Sequence, residues 1–288
     1  KEISFFEKFF RCILPKTPGG EKVAGVFLWI VIAVLALCVP ASLLWICHKT
    51  NPYLRLFIES IMCWQCLATK SLKDESMKVF YELKNGDVEK ARYAVSMIVG
   101  RDTKELDEAA ITRATVETVA ENTSDGVIAP MLYLAIGGGP LGFLYKAINT
   151  MDSMLGYVDE PYKNIGLIPA KADDVANFIP SRISALFMLL SGKLLKMNVK
   201  NGLKVFLRDR FNHKSPNSAQ TESVVAGLLG LRLAGDAYYH GILHKKKYIG
   251  DELRKIEYDD IPRVCRLLYA TSFLSLIIFS AVKCFIVF

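Results

Sequence analysis

Several residue patterns on which common enzymes are built are missing from this chain. Histidine is scarce: His48, His213, His240 and His244 are the four in 288 residues, and none sits in a nucleophile pattern with Ser or Cys. His240 and His244 stand four apart but lack the glutamate of an HExxH zinc helix, so ordinary surface histidines are the simpler reading. Ser191-Gly192-Lys193 is followed by Leu194, which excludes a P-loop of the form GxxxxGK(S/T). The seven cysteines are scattered through or beside apolar segments, and the one close pair, Cys63 and Cys66, has no second pair. That distribution speaks for packed thiols and against a zinc site or a disulfide framework. The first residues, KEISFFEKFFRCILPKTPGGEK, are amphipathic and mixed in charge, with no small-residue cleavage site, unlike a signal peptide. The chain does not open on Met, so residues before Lys1 are expected. There is no sustained repeat, no heptad run and no low-complexity tract. No nucleic-acid motif stands behind the net charge of +7.

Apolar residues, by contrast, make up 52% of the chain and are clustered. Ala24–Cys47 is almost uninterrupted, about 36 Å if helical and long enough to cross a bilayer. Pro40 within it is tolerable in a membrane helix. Apolar segments follow at about 53–68, 127–147, 178–195 and 267–288, the last carrying only Lys283. The expected fold is therefore all-α: a polytopic integral membrane protein, read as a single domain over 1–288. Lys193–Arg266 carries 15 Lys/Arg against 8 Asp/Glu, which by the positive-inside rule places this region in the cytoplasm. Amphipathic helices are predicted over Lys70–Leu83 and Val88–Val99, split by a turn at Asn85-Gly86-Asp87. A further helix is predicted to open on Asp102, with Glu105 as its capping-box partner. Ala226, Gly227, Gly230 and Ala234-Gly235 give a later helix small residues for close approach.

The informative stretch is 116–157. Val127–Ala147 has the length of a span but contains Gly137-Gly138-Gly139-Pro140, which a continuous helix would not carry. A broken, re-entrant helical hairpin suits it better, since irregular backbone at membrane depth lines protected cavities. Such a hairpin would return two Asn-Thr-x-Asp motifs, Asn122–Asp125 and Asn149–Asp152, to one side. Arg113, Glu117 and Glu121 share a helix face at i, i+4, i+8. They are either an ion-pair ladder or part of a carboxylate site with Asp125, which alone would read as an N-cap. Asp173-Asp174 precede Asn177 and Arg182. Oxygen ligands without His or Cys suit Mg²⁺, which keeps waters and phosphate oxygens; Arg101, Lys146 and Arg182 beside them point to a phosphorylated ligand.

VGRDTKEL (99–106), ITRATVETVAENTSDGVIAPMLY (111–133), GGGPLGFLYKAINTMDSMLGY (137–157) and KADDVANFIPSRI (171–183) closely resemble the adenosylcobinamide-phosphate synthase family of cobalamin biosynthesis, often called CobD/CbiB. SPNSAQTESVVAGLLGLRLAG (215–235) is similar to a later segment of that family, although Ala219-Gln220-Thr221-Glu222 stands where Trp-Pro-Glu is usual, and an N-terminal His-Pro motif is absent. The resemblance implies an ATP- and Mg²⁺-dependent ligase in the cytoplasmic membrane, its site facing the cytoplasm. It would join adenosylcobyric acid to aminopropanol or its phosphate. Glu117, Glu121, Asp125, Asp152, Asp173 and Asp174 then form the metal pool, the first four also the catalytic set. Arg101, Asn122, Lys146, Asn149, Asn177, Arg182, Asn217 and Glu222 would bind substrate or phosphate. A homo-oligomer, or a complex with other late cobalamin enzymes, is compatible with this reading. The alternatives are a non-enzymatic AmpE-like signalling protein of the same fold and a small-molecule transporter.

Overall fold

The computed structural model describes residues 7–9, 17–156, 162–239 and 241–287; His240 of the histidine pair lies outside them. Regular structure is almost entirely helical, as predicted, with two short antiparallel ladders besides. Among the described residues, three helical runs are long and apolar enough to cross a membrane: Pro18–Thr50, Glu108–Leu155 and Asp260–Phe285. Leu167–Ala176 with Phe178–Leu194 makes a fourth if that bent pair is one span. The chain groups into two compact units, one of Lys1–Leu67, Ala129–Asn177 and Phe285–Phe288, the other of Ala68–Ile128 and Phe178–Cys284.

In the first unit, α1 (Pro18–Thr50) starts where Thr17 Oγ1 accepts from the Gly20 N–H at 3.1 Å, and Pro18 fills a position that needs no N–H. Phe27, Val39 and Trp45 stand 49%, 60% and 63% exposed on it, as a lipid-facing helix requires. Asn51 ends α1 and caps α2 (Pro52–Cys66), accepting from the Tyr53 N–H at 2.8 Å. Helix α6 (Ala129–Leu155) is broken at Gly137 and Gly138, the latter at φ +63°. The rings of Tyr133 and Tyr145 stack 4.9 Å apart, where a straight helix would separate twelve residues by about 18 Å. The chain therefore reverses at the glycines. Glu59 of α2 explains how the break is held: its Oε1 accepts from the Gly139 N–H at 3.3 Å, capping the second half of α6 from inside an apolar neighbour. Leu28 and Ile32 of α1 pack with Tyr145, Ile148, Met151 and Leu155 of α6 and with Ala176 of α7 (Leu167–Ala176) to form the core.

In the second unit, α3 (Thr69–Lys84) and α4 (Val88–Ser96) flank the predicted turn, with Gly86 at φ +76°. Helix α5 (Glu108–Thr123) opens five residues later than predicted. Asp107, not Asp102, is its N-cap, accepting from the Ala110 N–H at 2.7 Å; Asp102 instead accepts from the Gly241 N–H. Helix α5 then passes into a π-turn over Ser124–Ile128, so Asp125 lies within helical backbone and is no N-cap. After α8 (Phe178–Leu194) and α9 (Val199–Asp209) comes α10 (Ser218–Leu229), every residue of which is buried. A Cβ on Gly227 would stand 2.6 Å from Gly202 Cα, which is the close helix approach the small residues predict. The helix is shorter than predicted, however. Gly230, at φ +68°, ends it, and Ala234-Gly235 fall in and beyond strand β1. β1 (Leu233–Ala234) pairs with β4 (Tyr248–Ile249), and β2 (Ala237–Tyr239) with β3 (Ile242–His244). Asp260, fully buried, starts α11 (Asp260–Val287) and accepts from Arg254, Arg263 and the Glu257 N–H.

Candidate functional site

The second unit contains a cavity of about 190 Å³ lined largely by charged and polar side chains. Glu117 and Glu121, one turn apart on α5, face it together with Glu222 from α10 and Arg101 from the segment before α5. His213, from the turn before α10, joins them, as do Tyr239 of β2 and Lys246 between β3 and β4. The three acids do not have the same surroundings. Arg101 Nη2 donates to Glu117 Oε2 at 2.5 Å, and the Ala234 N–H donates to Glu117 Oε1 at 2.6 Å. Both oxygens of Glu117 are thus engaged, and Ala234 holds φ +59° while it donates, a region costing a residue with a Cβ about 1 kcal/mol or more. Glu121 Oε1 accepts from Ser218 Oγ at 2.7 Å. Glu222 is only 5% exposed.

Electrostatics follow from this crowding. Burial works against the Arg101 charge, but Glu117 outweighs it and holds the guanidinium above its ordinary range. Burial, aided by Glu121 and Glu117, pushes the Glu222 carboxyl well above the usual carboxylate range. Burial also lowers the His213 imidazole, and its Nδ1 accepts from the Ser215 N–H at 3.1 Å, so the ring proton of the neutral form sits on Nε2.

Other predicted site residues fall elsewhere. Within the second unit, Arg182 Nη1 donates to Asn217 Oδ1 and Ser181 Oγ, both at 3.1 Å, and to the Phe178 carbonyl at 2.6 Å. Its guanidinium lies 3.6 Å over the Phe178 ring. Arg182 and Asn217 therefore fasten the Ser-Pro-Asn-Ser turn to α8. Asn122 Nδ2 donates back to the Thr118 carbonyl at 3.0 Å on its own helix. The Arg113–Glu117 ladder does not form: the partner of Glu117 is Arg101, and Arg113 Nε is buried without a hydrogen-bond partner among the described residues. Asn149, Asp152, Lys146, Asp173, Asp174 and Asn177 belong to the first unit, so the two Asn-Thr-x-Asp motifs divide between the units. There Asn149 Nδ2 donates to Asp173 Oδ1 at 3.3 Å, and Tyr145 Oη donates to Asn177 Oδ1 at 2.7 Å.

Comparison with known proteins gives a consistent answer. A family profile described as "CobD/Cbib protein" matches residues 1–268. The chain belongs to the CobD/Cbib family. A "Cobalamin biosynthesis protein CobD" from Clostridium perfringens is 47% identical over 99% of this chain and 89% of its own length. One of the same name from Streptococcus sanguinis is 49% identical over 89% of the chain and 81% of its own. A "Cobalamin biosynthesis protein CbiB" from Salmonella choleraesuis is 40% identical, covering 98% of the chain and 88% of its own length. No solved structure matches the chain.

In this CobD/Cbib chain the cavity includes three residues that sequence reasoning missed: His213, Tyr239 and Lys246. Lys246 reads in sequence as part of a basic loop, and nothing local marks it as facing α5. His213 stands two residues before the Ser-Pro-Asn segment, the only signal it has. Among the described residues no group of three or more His, Cys, Asp or Glu side chains forms a metal cage. A cation held by one or two carboxylates plus substrate phosphates needs no such cage. Glu121, with one oxygen outside its bond to Ser218, fits that role; both Glu117 oxygens already accept a hydrogen bond.

Proposed function

We propose that the chain catalyses ATP-dependent amide formation, joining adenosylcobyric acid to (R)-1-aminopropan-2-ol phosphate, or to aminopropanol, to give adenosylcobinamide phosphate or adenosylcobinamide. Membership of a cobalamin-biosynthesis family supports the pathway. The observation that carries the chemical reading is the buried cavity in which Arg101, Lys246 and His213 meet Glu117, Glu121 and Glu222. A carboxylate is a poor acyl donor. Transfer of the terminal phosphoryl group of ATP to its oxygen gives an acyl phosphate and ADP; the amine nitrogen then attacks the carbonyl carbon, phosphate leaves, and the nitrogen loses a proton. Fixed cations stabilise charge in such phosphoryl chemistry, and paired acids can accept the proton. Mg²⁺, entering with the nucleotide on its phosphates and on Glu121, would add Lewis-acid stabilisation. Asp125, Asp152, Asp173 and Asp174 complete the acidic pool, and Lys146, Asn149 and Asn177 remain candidates for substrate contacts.

In this reading the protein is multi-pass in the cytoplasmic membrane, with its basic 193–266 region and its site on the cytoplasmic side. The hairpin of α6 re-enters from that side. The test is an end-point assay with ATP, Mg²⁺, adenosylcobyric acid and aminopropanol phosphate, reading corrinoid mass and ADP. Product at the amide mass, formed with ADP and lost in Glu121→Gln and Asp152→Asn, is expected. A folded protein that yields no product with either acceptor refutes the ligase.

A further inference from the structure

Of the three co-substrates in that reaction, the amine acceptor is the smallest, and the polar cavity of about 190 Å³ is lined by both signs of charge that such a molecule carries. Its acids are unequally committed. Glu117 has each oxygen engaged, one by Arg101 and one by the Ala234 amide, and Glu121 spends one oxygen on Ser218. Glu222, 5% exposed and facing the cavity, has no hydrogen-bond partner among the described residues. A buried carboxyl in that position calls for a hydrogen-bond partner from outside the chain. On the other side of the balance, Lys246 Nζ donates one of its three hydrogens to Tyr239 Oη at 2.8 Å, leaving two. His213 offers Nε2–H, because its Nδ1 is taken by the Ser215 amide.

We propose that this cavity is the seat of the amine acceptor, a small primary amine carrying a phosphate. Its ammonium is bound by Glu222, whose carboxyl the incoming positive charge draws into the ionised form, and its phosphate by Lys246 and His213. The inference rests on the ligase reading for the identity of the amine, but binding tests it without turnover.

Calorimetry on the purified full chain, with neither ATP nor corrinoid present, uses three probes: (R)-1-aminopropan-2-ol phosphate, isopropyl phosphate, which lacks the amine, and 1-aminopropan-2-ol, which lacks the phosphate. The complete probe is expected to bind at least about tenfold more tightly than either fragment, since a site built around a polar group rejects analogues lacking it. Glu222→Gln should erase the preference over isopropyl phosphate and keep that over aminopropanol; Lys246→Met should do the reverse. A tenfold amine preference that survives Glu222→Gln overturns the inference, as does a wild-type chain with no preference. Amide product from a chain whose binding ignores Glu222 overturns this assignment alone. The expected binding pattern without amide product upholds it and refutes the ligase.

Discussion

Removing the Glu117 side chain is the sharpest test of how the cavity is held together. Glu117 is 5% exposed and its partner Arg101 19%, so neither charge has much water to fall back on. Breaking a buried pair by deleting one partner costs about 3–5 kcal/mol, because the other charge is left uncompensated. The orphaned Ala234 N–H adds about 1–3 kcal/mol where it stays dry. Glu117→Ala should therefore destabilise the second unit by at least about 4 kcal/mol, and at roughly 2–4 °C per kcal/mol lower its midpoint by at least about 8–16 °C. Far-UV circular dichroism of the detergent-purified chain is the assay to use, since Trp29, Trp45 and Trp64 all belong to the first unit. The double variant Glu117→Met/Arg101→Met separates charge from packing. Replacing both partners with apolar groups should recover all but about 2 kcal/mol. A single-variant shift below about 3 °C would place the pair among exposed bridges worth under about 1 kcal/mol and refute the reasoning.

Three further outcomes are expected. Gly138→Ala combines a left-handed backbone cost of about 1–2 kcal/mol with a methyl that collides with Glu59, so the first unit should melt earlier by Trp fluorescence; an unchanged transition would mean the break is not held as described. The Glu222 carboxyl sits above its ordinary 4.5, so the folded chain holds that proton more tightly than the unfolded one. Its contribution is present in full below that value and is lost as pH rises. Glu222→Gln should therefore gain stability relative to wild type from about pH 5 to pH 8, and a gap that narrows over this range would reverse the sign. Arg182→Lys keeps the charge but loses the planar stack on Phe178 and the fork to Asn217 and Ser181, and should cost about 1–2 kcal/mol. Weaker ATP binding at unchanged midpoint would instead make Arg182 a ligand contact.

The helices were legible because hydropathy is a local property: each of the five apolar segments contains a helix, although α6 runs on to Leu155 and α11 starts already at Asp260, and the helix over 52–66 is not among those long enough to cross a membrane. The glycine break was legible for the same reason. What failed depended on distant partners. Asp102 and Glu105 have the spacing of a capping box, yet Asp102 is drawn to the Gly241 amide and its backbone N–H to the Tyr238 carbonyl, leaving Asp107 to start α5. Small residues at 226–235 continue a helical pattern, but Gly230 leaves it and the chain pairs with a strand at 248–249. In the site, Glu117 and Glu121 showed themselves by their helical spacing. The companions that escaped notice, His213, Tyr239 and Lys246, come from a turn, a short strand and a loop about a hundred residues or more further on, where no periodicity announces a direction. The Glu59 cap was hidden likewise, since a lone acid in an apolar segment carries no mark of its acceptor role.

That cap has a consequence for biosynthesis. Glu59 and Gly139 are 80 residues apart, and the acceptor is made first. At about 5–20 residues per second, α2 precedes the glycine break from the ribosome by roughly 4–16 s. During that interval Arg55, one turn back and 3.7 Å from Glu59, is the local counter-ion for a carboxylate in an apolar helix. When the glycines emerge, their free amide meets an acceptor already in place, so the reversal of α6 is templated by an earlier helix, and the direction of translation becomes part of how this chain assembles.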